Sequence, residues 1–513
     1  MWGPPVRREP TALIGTLFDV VVVGGGITGA AIAHEAASRG LTVALVERSD
    51  FGAETSANSL KVIHGGVRAL QSLDLARSRA FIRERSAWLR IAPGLVAPLP
   101  VLVPVGNGLR RRGVMEAALR LHDALGWDRN RGLIPGREIP PSGTLAPGSC
   151  RRTYPELGAL LPRGAAIWYD ALALRCERLV LALVTTAARH GAVVANHVEA
   201  SALLGEGGVV GGVRARDTVS AAEFEIRGCL TVNAAGPWWD HLAPAVPNTF
   251  ALGLNVVLAR RLSPVGLGLR SQSSAVDDPV GGGGRYLFLC PWRDHTLLGT
   301  RYRLAGRPPG EEQPQEADIA ALLAECNAAW PEAKLALEDV TFLHWGWLPV
   351  KRGRERGRPN ALAERTTIIE HAGPLAGLVS VSGVKLTLAT AVAERVVDGL
   401  DRRLARRGPR SRTAFLPLDG AQDIRDEREP LGPRQLVERA VGEEMAVTLN
   451  DVVFRRTGLG TAGCPPVDLL ERLAAAMGDL LGWGPERRRR EIEAVVARCA
   501  PLPRRSISPA AVG

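Results

Sequence analysis

Three ionisable residues lie in glycine-rich segments where the chain is expected to contact a ligand. Lys61 and His64 belong to Asn58-Ser-Leu-Lys-Val-Ile-His-Gly-Gly66, and Lys385 follows Ser382-Gly-Val. A histidine titrates near neutral pH and can accept a proton, whereas a lysine needs desolvation or a neighbouring cation first. The pattern predicts proton abstraction from a bound substrate, with His64 and Lys385 as candidate catalytic residues. A structural hydrogen bond of His64 within its turn is the alternative.

The element that must position them is a dinucleotide-binding unit. Its parts are an apolar strand at residues 18–23, a G-x-G-x-x-G turn at 24–29, a small-residue helix at 30–38 and a second strand at 41–47. Gly24 permits the tight turn, Gly26 permits a pyrophosphate to approach the backbone, and Gly29 permits the helix to pack on the strand. Glu47 ends the second strand, where a carboxylate accepts hydrogen bonds from a ribose. The sequence therefore predicts FAD or NAD, and the N-terminal position of the unit favours FAD.

The segment after this unit reads Thr55-Ser-Ala-Asn-Ser-Leu-Lys-Val-Ile-His-Gly-Gly-Val-Arg68. It resembles the hallmark of the FAD-dependent glycerol-3-phosphate dehydrogenase family, Thr-Ser…Ser-x-Lys-Leu-Ile-His-Gly-Gly-Leu-Arg. Further similarity to this family follows in the expected order at 89–104, 230–238, 382–387 and 443–457. The resemblance covers nearly the whole chain and includes a C-terminal helical domain peculiar to the family.

The resemblance implies an oxidoreductase that transfers a hydride from a secondary alcohol to flavin N5. It implies that His64 and Lys61 lie near the isoalloxazine, and Lys385 near the flavin pyrimidine or the substrate oxygen. A helix beginning after Lys385 would stabilise the negative charge of reduced flavin. The predicted FAD contacts are Gly24, Gly26, Ile27, Thr28, Gly29, Glu47, Arg48, Thr55, Ser56, Ser59, Lys61, Val198, Ala235, Gly236, Gly383, Lys385, Leu386 and Thr387.

The chain departs from the family where the substrate phosphate is expected. Leu348 replaces the arginine of the family's Gly-Val-Arg-Pro segment, Gly299-Thr-Arg-Tyr302 replaces Gly-Thr-Thr-Asp, and the segment 251–257 lacks the family's histidine. One explanation is that other cations bind the phosphate, from the set Arg301, Lys351, Arg352 and Arg354. The other is a pocket rebuilt for a less charged substrate, from Trp345, Trp347 and His344. Core packing is the competing interpretation of the tryptophans. The candidate substrate-binding residues are Arg301, Trp345 and Trp347.

Two other classes of function remain open at this point. One is a degenerate protein that holds FAD without reacting, against which Lys61, His64 and Lys385 argue. The other is an amine or amino-acid oxidase of the same architecture, which the C-terminal helical domain disfavours.

Composition limits the partners and the compartment. Seven scattered cysteines form no C-x-x-C pair, so the sequence predicts neither disulfides nor a metal site, and a reducing cytoplasm fits best. The formal net charge of +11 lies in arginine-rich runs without a nucleic-acid-binding module. The family resemblance implies electron transfer to quinone at the cytoplasmic face of a membrane, which a loop over 95–105 and an amphipathic stretch over 114–125 would contact. An ordinary surface helix is the alternative for that stretch.

The order of the motifs predicts an α/β protein. A discontinuous Rossmann-like FAD-binding domain is expected at 17–245 and 370–420, of the glutathione-reductase or D-amino-acid-oxidase type. An α+β substrate domain with an antiparallel sheet is expected at 246–369, with a hairpin that begins at Arg285 after a Gly281–Gly284 connector. A helical domain is expected at 425–505, with helices over 435–452 and 466–481, and residues 1–16 are expected to be a disordered extension.

Overall fold

The computed structural model describes residues 5–106, 109–243, 249–273, 285–351, 361–363, 365–383, 385–422 and 431–499. For residues 109–111 and 206 it describes the backbone alone. The predicted glycine connector at 281–284 and the two candidate cations Arg352 and Arg354 lie outside these ranges.

The described strands are β1 (Leu17–Val23), β2 (Val43–Val46), β3 (Val62–Ile63), β4 (Val96–Pro104), β5 (Gly143–Leu145), β6 (Ala165–Ala173), β7 (Val193–Ala195), β8 (Val198–Glu206), β9 (Val209–Asp217), β10 (Glu223–Asn233), β11 (Thr249–Leu258), β12 (Gly266–Arg270), β13 (Tyr286–Trp292), β14 (His295–Leu304), β15 (Val340–Lys351), β16 (Ala361–Leu362), β17 (Thr367–Glu370) and β18 (Leu378–Ser382). The helices are α1 (Ile27–Ser38), α2 (Leu75–Ile91), α3 (Leu109–Leu125), α4 (Pro147–Thr153), α5 (Cys176–Arg189), α6 (Glu316–Ala329), α7 (Ala389–Arg403), α8 (Pro433–Gly442), α9 (Leu449–Asp451), α10 (Val467–Leu481) and α11 (Pro485–Cys499).

The first sheet is the predicted doubly wound core. Its main path runs β17-β18-β10-β1-β2-β7, with β9 pairing to β10 and β8 to β9. Strands β18, β10, β1, β2 and β7 are parallel neighbours. Apolar residues of these strands are packed with α1, α5 and α7 in one buried cluster. Strands buried by helices read as unbroken apolar runs, which is why β1 and β2 were visible in the sequence.

The second sheet lies beside the first and is largely antiparallel. Its order is β16-β15-β11-β14-β13-β12-β4-β6-β3, with β5 also paired to β6. The predicted hairpin is confirmed as β13 and β14, which pair from Phe288 with Gly299 to Trp292 with His295. One face of this sheet packs on α6, where Ile319 and Leu322 share a buried cluster with Leu252.

The C-terminal helices cover another part of the second sheet and are tied to the first. Leu449 and Leu473 share a buried cluster with Trp292 of β13. Asp50, just after β2, accepts hydrogen bonds from Arg455 Nε at 2.9 Å and Arg456 Nη2 at 2.8 Å. Because all three charged groups are buried, the pairing compensates the cost of removing them from water.

The second sheet contains two strands from the segment that was predicted to form the FAD-binding domain. β4 and β6 lie at 96–104 and 165–173, inside the predicted 17–245 segment, yet they pair with each other and β4 pairs with β12. The segment 95–105, predicted as a loop, instead contains strand β4, with Leu99, Val101, Leu102 and Val103 buried. An apolar strand does not encode which sheet it joins, since pairing depends on partners far along the chain.

Two local expectations also differ from the structure. In the stretch 1–16 predicted as a disordered extension, Arg8 Nη2 lies 2.6 Å from Asp217 Oδ1 and Leu13 is fully buried. Composition does not reveal such single anchoring contacts. The helix predicted over 435–452 is interrupted after Gly442, because Met445 adopts a φ of 61° and Thr448 caps the next helix by accepting the Asp451 N–H.

Among the described residues, every helix is too short or too polar to traverse the hydrocarbon core of a bilayer.

Candidate active site

A cavity of about 340 Å³ is bordered by the dinucleotide turn, the Thr55–His64 segment and strands of the second sheet. It brings together most of the predicted site residues, although they come from five separate parts of the chain. The predicted residues among its lining are Gly24, Gly26, Ile27, Thr28, Glu47, Arg48, Thr55, Ser56, Ser59, Lys61, His64, Val198, Ala235, Gly236, Trp347, Gly383, Lys385, Leu386 and Thr387.

The dinucleotide turn has the close backbone packing that its glycines predict. Gly24 has a φ of 102°, and a Cβ there would lie 2.5 Å from the Ala234 carbonyl oxygen. A Cβ on Gly29 would lie 1.9 Å from the Gly24 carbonyl oxygen. Helix α1 begins at Ile27, within the glycine motif, and Ser56 Oγ accepts the Ile27 N–H at 2.9 Å. The positive end of the α1 dipole therefore borders the cavity, as pyrophosphate binding requires.

Glu47 is the carboxylate at the end of β2. Its Oε2 accepts the Gly25 N–H at 2.7 Å and its Oε1 accepts the Ser49 N–H at 2.9 Å. Burial raises the pKa of Glu47, and the two backbone N–H groups offset part of that effect. The glycine turn thus holds the carboxylate in a fixed position beside the cavity.

The next residue contributes a flat, positively charged surface. The Arg48 guanidinium lies 4.2 Å from the ring centroid of Trp238, and both residues line the cavity with Val198 and Gly236. Stacking of this kind keeps an arginine in a defined orientation.

The catalytic candidate His64 is paired with a buried carboxylate. His64 Nδ1 lies 3.4 Å from Asp170 Oδ2, and the Gly65 N–H donates to Asp170 Oδ1 at 2.6 Å. Burial alone would raise the pKa of Asp170, but His64, the Gly65 N–H and Arg85 together hold it below its usual value. The His64 side chain retains 39% of its exposure, whereas that of Asp170 retains 5%. This arrangement orients an imidazole whose other nitrogen remains available for proton transfer.

The two candidate lysines differ in their surroundings. Lys61 is buried, with Nζ 3.2 Å from the Ala57 carbonyl, 3.7 Å from Glu177 Oε2 and 4.9 Å from the Trp292 ring centroid. Lys385 is half-buried, with Nζ 5.1 Å from the ring centroid of Phe81. Thr387, two residues later, accepts the His64 N–H at 3.0 Å on its Oγ1. This bond fixes the two predicted motifs beside each other.

The second sheet supplies a wall from three neighbouring strands. β11 contributes Gly253 and Asn255, β14 contributes Thr300 and Tyr302, and β15 contributes Leu348. Thr300 Oγ1 donates to Asn255 Oδ1 at 2.7 Å.

Arg301 and Trp345 are not among the lining residues of this cavity, contrary to the prediction for substrate binding. In the register of the sheet, both are opposite Leu254, which packs in the cluster under α6. Arg301 Nη1 lies 4.0 Å from Glu325 of α6. Trp345 packs on that cluster with its ring centroid 6.2 Å from that of Trp347.

Trp347 and His344 also belong to the protein interior. Trp347 is 3% exposed and shares the cluster under α6, so most of its side chain packs in the core, although the residue also borders the cavity. His344 is buried, with Nδ1 3.3 Å from Asn58 Oδ1, and burial holds its pKa well below the usual value. Gly29 is likewise absent from the lining, because it packs α1 against the turn.

Asp170 was missed by the sequence analysis. It lies in β6 within Ala165-Ala-Ile-Trp-Tyr-Asp-Ala-Leu-Ala173, where one acid interrupts an apolar strand. A buried carboxylate is costly unless it is paired, so an acid in such a run was the available signal.

The residues of the cavity fit FAD. The glycine turn leaves no room for a side chain where pyrophosphate would approach, Glu47 is fixed where a ribose is expected, and the cavity continues to His64. A parallel dinucleotide-binding sheet beside a largely antiparallel second sheet is the architecture of an FAD-dependent oxidoreductase.

Comparison with known proteins identifies the family. Residues 19–398 match the family described as FAD dependent oxidoreductase. The chain is 30% identical over 494 residues to the glycerol-3-phosphate dehydrogenase of Mycobacterium leprae, covering 94% of this chain and 77% of that protein. It is 31% identical over 488 residues to the mitochondrial glycerol-3-phosphate dehydrogenase of Homo sapiens, covering 88% of this chain and 63% of that protein. The chain belongs to the FAD-dependent oxidoreductases and, among them, to the glycerol-3-phosphate dehydrogenase family.

A solved structure supports the fold. The glycerol-3-phosphate dehydrogenase of Bacillus halodurans complexed with FAD superimposes with a TM-score of 0.72 at 22% identity, covering 96% of each chain. The predicted fold class, with FAD as cofactor, is confirmed.

Proposed function

We propose that this protein oxidises a secondary alcohol, with His64 accepting the hydroxyl proton. The observation that carries the proposal is the pairing of His64, which lines the cavity that fits FAD, with the buried Asp170 at 3.4 Å. Oxidation of an alcohol requires a base for the hydroxyl proton and a site that holds the reacting carbon beside the acceptor.

The geometry assigns different tasks to the two ring nitrogens of His64. Because Nδ1 faces Asp170, Nε2 is the atom that accepts the proton. Asp170 is a positioning residue: the Gly65 N–H fixes its carboxylate, and its negative charge stabilises the imidazolium that forms. Bound FAD supplies the two-electron acceptor for the hydride.

Other residues of the chain would hold the cofactor. The α1 N-terminus with Gly24 and Gly26 would bind the pyrophosphate, and Glu47 would bind a ribose. Lys385 and the backbone leading into the helical turn Leu386–Leu388 would place positive charge at the flavin pyrimidine. Lys61 contributes less net charge there, because Glu177 lies 3.7 Å from its Nζ.

For the electron acceptor, we propose a quinone reached at the cytoplasmic face of a membrane. Support comes from apolar residues exposed on and just after α3, where Val114 is 65% and Trp127 is 78% exposed. Flotation with anionic vesicles tests this contact. Binding should weaken in Val114→Ser/Trp127→Ser, and unchanged flotation of that variant would contradict it.

Anaerobic stopped-flow spectroscopy of the holoenzyme tests the main proposal. Secondary alcohols, charged and neutral, should bleach the flavin absorbance, whereas amino acids and primary amines should not. Bleaching only by amines would contradict alcohol oxidation. A flavin that dithionite reduces but no alcohol reduces would indicate a binding protein instead.

A further inference from the structure

The residue after the candidate base His64 is a glycine whose two backbone groups are both held by hydrogen bonds. The Gly65 N–H donates to Asp170 Oδ1 at 2.6 Å, and the Gly65 carbonyl oxygen lies 2.8 Å from His122 Nε2. Because a carbonyl oxygen only accepts hydrogen bonds, His122 Nε2 carries the hydrogen and donates it. Glycine restricts its own φ and ψ less than other residues do, so these two bonds fix the backbone to which the base is attached.

His122 occupies a position of α3 where an apolar side chain is expected. It follows the fully buried Leu119 by three residues, on the same face of the helix, and it is only 3% exposed. Its other ring nitrogen, Nδ1, lies 3.9 Å from Asp123 Oδ1, which is longer than a hydrogen bond. A leucine would fill this position without the cost of burying a polar ring. What the imidazole adds is the hydrogen bond to Gly65.

The turn that His122 contacts is tightly packed. A Cβ on Gly65 would lie 3.1 Å from the Tyr169 carbonyl oxygen of β6, and a Cβ on Gly66 would lie 2.9 Å from the Ser78 carbonyl oxygen of α2. The turn is thus enclosed by β6 and α2, while α3 supplies the donor for its carbonyl group. A buried carbonyl that loses its donor must find another partner, and the turn then shifts.

A chain of polar contacts connects α3 with the base. It runs from His122 through Gly65 to Asp170, and from Asp170 Oδ2 across 3.4 Å to His64 Nδ1. We infer that His122 is a positioning residue for proton transfer: by holding the Gly65 carbonyl, it keeps the His64–Asp170 pair in the geometry in which His64 Nε2 meets the substrate hydroxyl. This inference rests on the proposed function, because it concerns how the base of the same site is held.

Replacement of His122 in the holoenzyme tests this role. Each variant is mixed anaerobically with rising concentrations of sn-glycerol 3-phosphate, which gives the limiting rate constant of flavin bleaching and the half-saturating concentration. His122→Leu should lower the limiting rate constant by about tenfold to a hundredfold, because a small displacement of a catalytic group is costly. The half-saturating concentration should change by less than about twofold, since His122 is not among the residues that line the cavity.

Matched variants separate positioning from folding. His122→Gln should recover most of the rate, because its amide nitrogen can donate from the place of Nε2. His371→Leu removes a different histidine contact, between His371 Nε2 and Ser380 Oγ at 2.9 Å, and should keep the wild-type rate. FAD content and reduction by dithionite, which needs no base, establish that each variant holds a reducible flavin. If His122→Leu loses FAD, His122→Asn takes its place, because its shorter amide does not reach the Gly65 carbonyl.

A double variant tests the path through Asp170. If His122 acts through Gly65 and Asp170, adding His122→Leu to Asp170→Asn should slow bleaching by less than about twofold further, since both changes disturb the same contact chain. Two independent effects would instead multiply.

The outcomes distinguish this inference from the proposed function. An unchanged limiting rate constant in His122→Leu would overturn the inference, as would equal slowing in His122→Leu and His122→Gln or multiplied effects in the double variant. Alcohol oxidation with His64 as the base would survive each of these results. It would be refuted instead if no secondary alcohol bleached the wild-type flavin, or if His64→Gln were reduced as fast as the wild type.

Discussion

The cofactor end and the substrate end of the cavity are built from different parts of the chain. At the cofactor end, one continuous segment from β1 to His64 supplies most of the lining residues. At the substrate end, the wall comes from β11, β14 and β15, which span residues 249–351. The first end is a local unit, and the second exists only after distant strands pair.

The two ends also use different atoms. The cofactor end depends on backbone geometry, as the close approach of Gly29 to the Gly24 carbonyl shows. The wall from the second sheet presents side chains such as Leu348 and Tyr302 to the cavity. A family can therefore retain its flavin chemistry while its substrate changes, because side chains on a sheet vary more freely than tight turns.

Gly29→Ala should produce the largest effect. The added methyl group meets the Gly24 carbonyl oxygen at 1.9 Å, so α1 must shift, at a cost of about 3 kcal/mol. FAD bound per purified protein, read from the visible spectrum, should fall sharply. Gly113→Ala on α3 is the control, since its methyl group meets nothing within 4 Å. Full FAD content in Gly29→Ala would show that the cofactor end tolerates change as the substrate end does.

His64→Gln should slow flavin reduction by about a hundredfold to ten-thousandfold with FAD still bound, since the base is lost. Asp170→Asn should have a smaller effect on the rate. The carboxylate that orients the imidazole is then replaced by a neutral amide. Stopped-flow bleaching measures both rates, and FAD content shows whether each variant is folded. A rate of Asp170→Asn equal to that of the wild type would contradict a positioning role.

Trp345→Ala should affect stability rather than substrate choice. Its side chain packs under α6, so truncation should lower the free energy of unfolding by about 3 kcal/mol. Urea denaturation measures this loss, and the ratio of bleaching rates for charged and neutral alcohols should stay as in the wild type. A changed ratio of the bleaching rates, with the free energy of unfolding unchanged, would indicate that Trp345 contacts the substrate.

Arg301→Gln should have the smallest effect. Because Arg301 faces Glu325 across 4.0 Å and does not line the cavity, substrate preference should remain within about twofold of the wild type. The same pair of substrates measures it. Selective loss of activity with glycerol 3-phosphate would place this arginine in phosphate recognition after all.

The sequence predicted the cofactor end of the cavity better than the substrate end. β1, the glycine turn and α1 could be predicted because the apolar strand, the turn and the helix follow one another in the chain. His64 and Lys385 were identified by their motifs, but the partner Asp170 was not, because β6 contacts β3 only in the folded protein.

By itself, the sequence determined the dinucleotide-binding unit, FAD as the cofactor and membership of the family. The unit depends on local backbone requirements that only a few residue types satisfy, whereas the family follows from the resemblance of several motifs in order. The tertiary structure decided which sheet β4 and β6 join, and that Leu348 rather than Trp345 or Arg301 meets the cavity. A shift of one residue in register exchanges the two faces of a strand, and the partners that fix the register are remote in sequence.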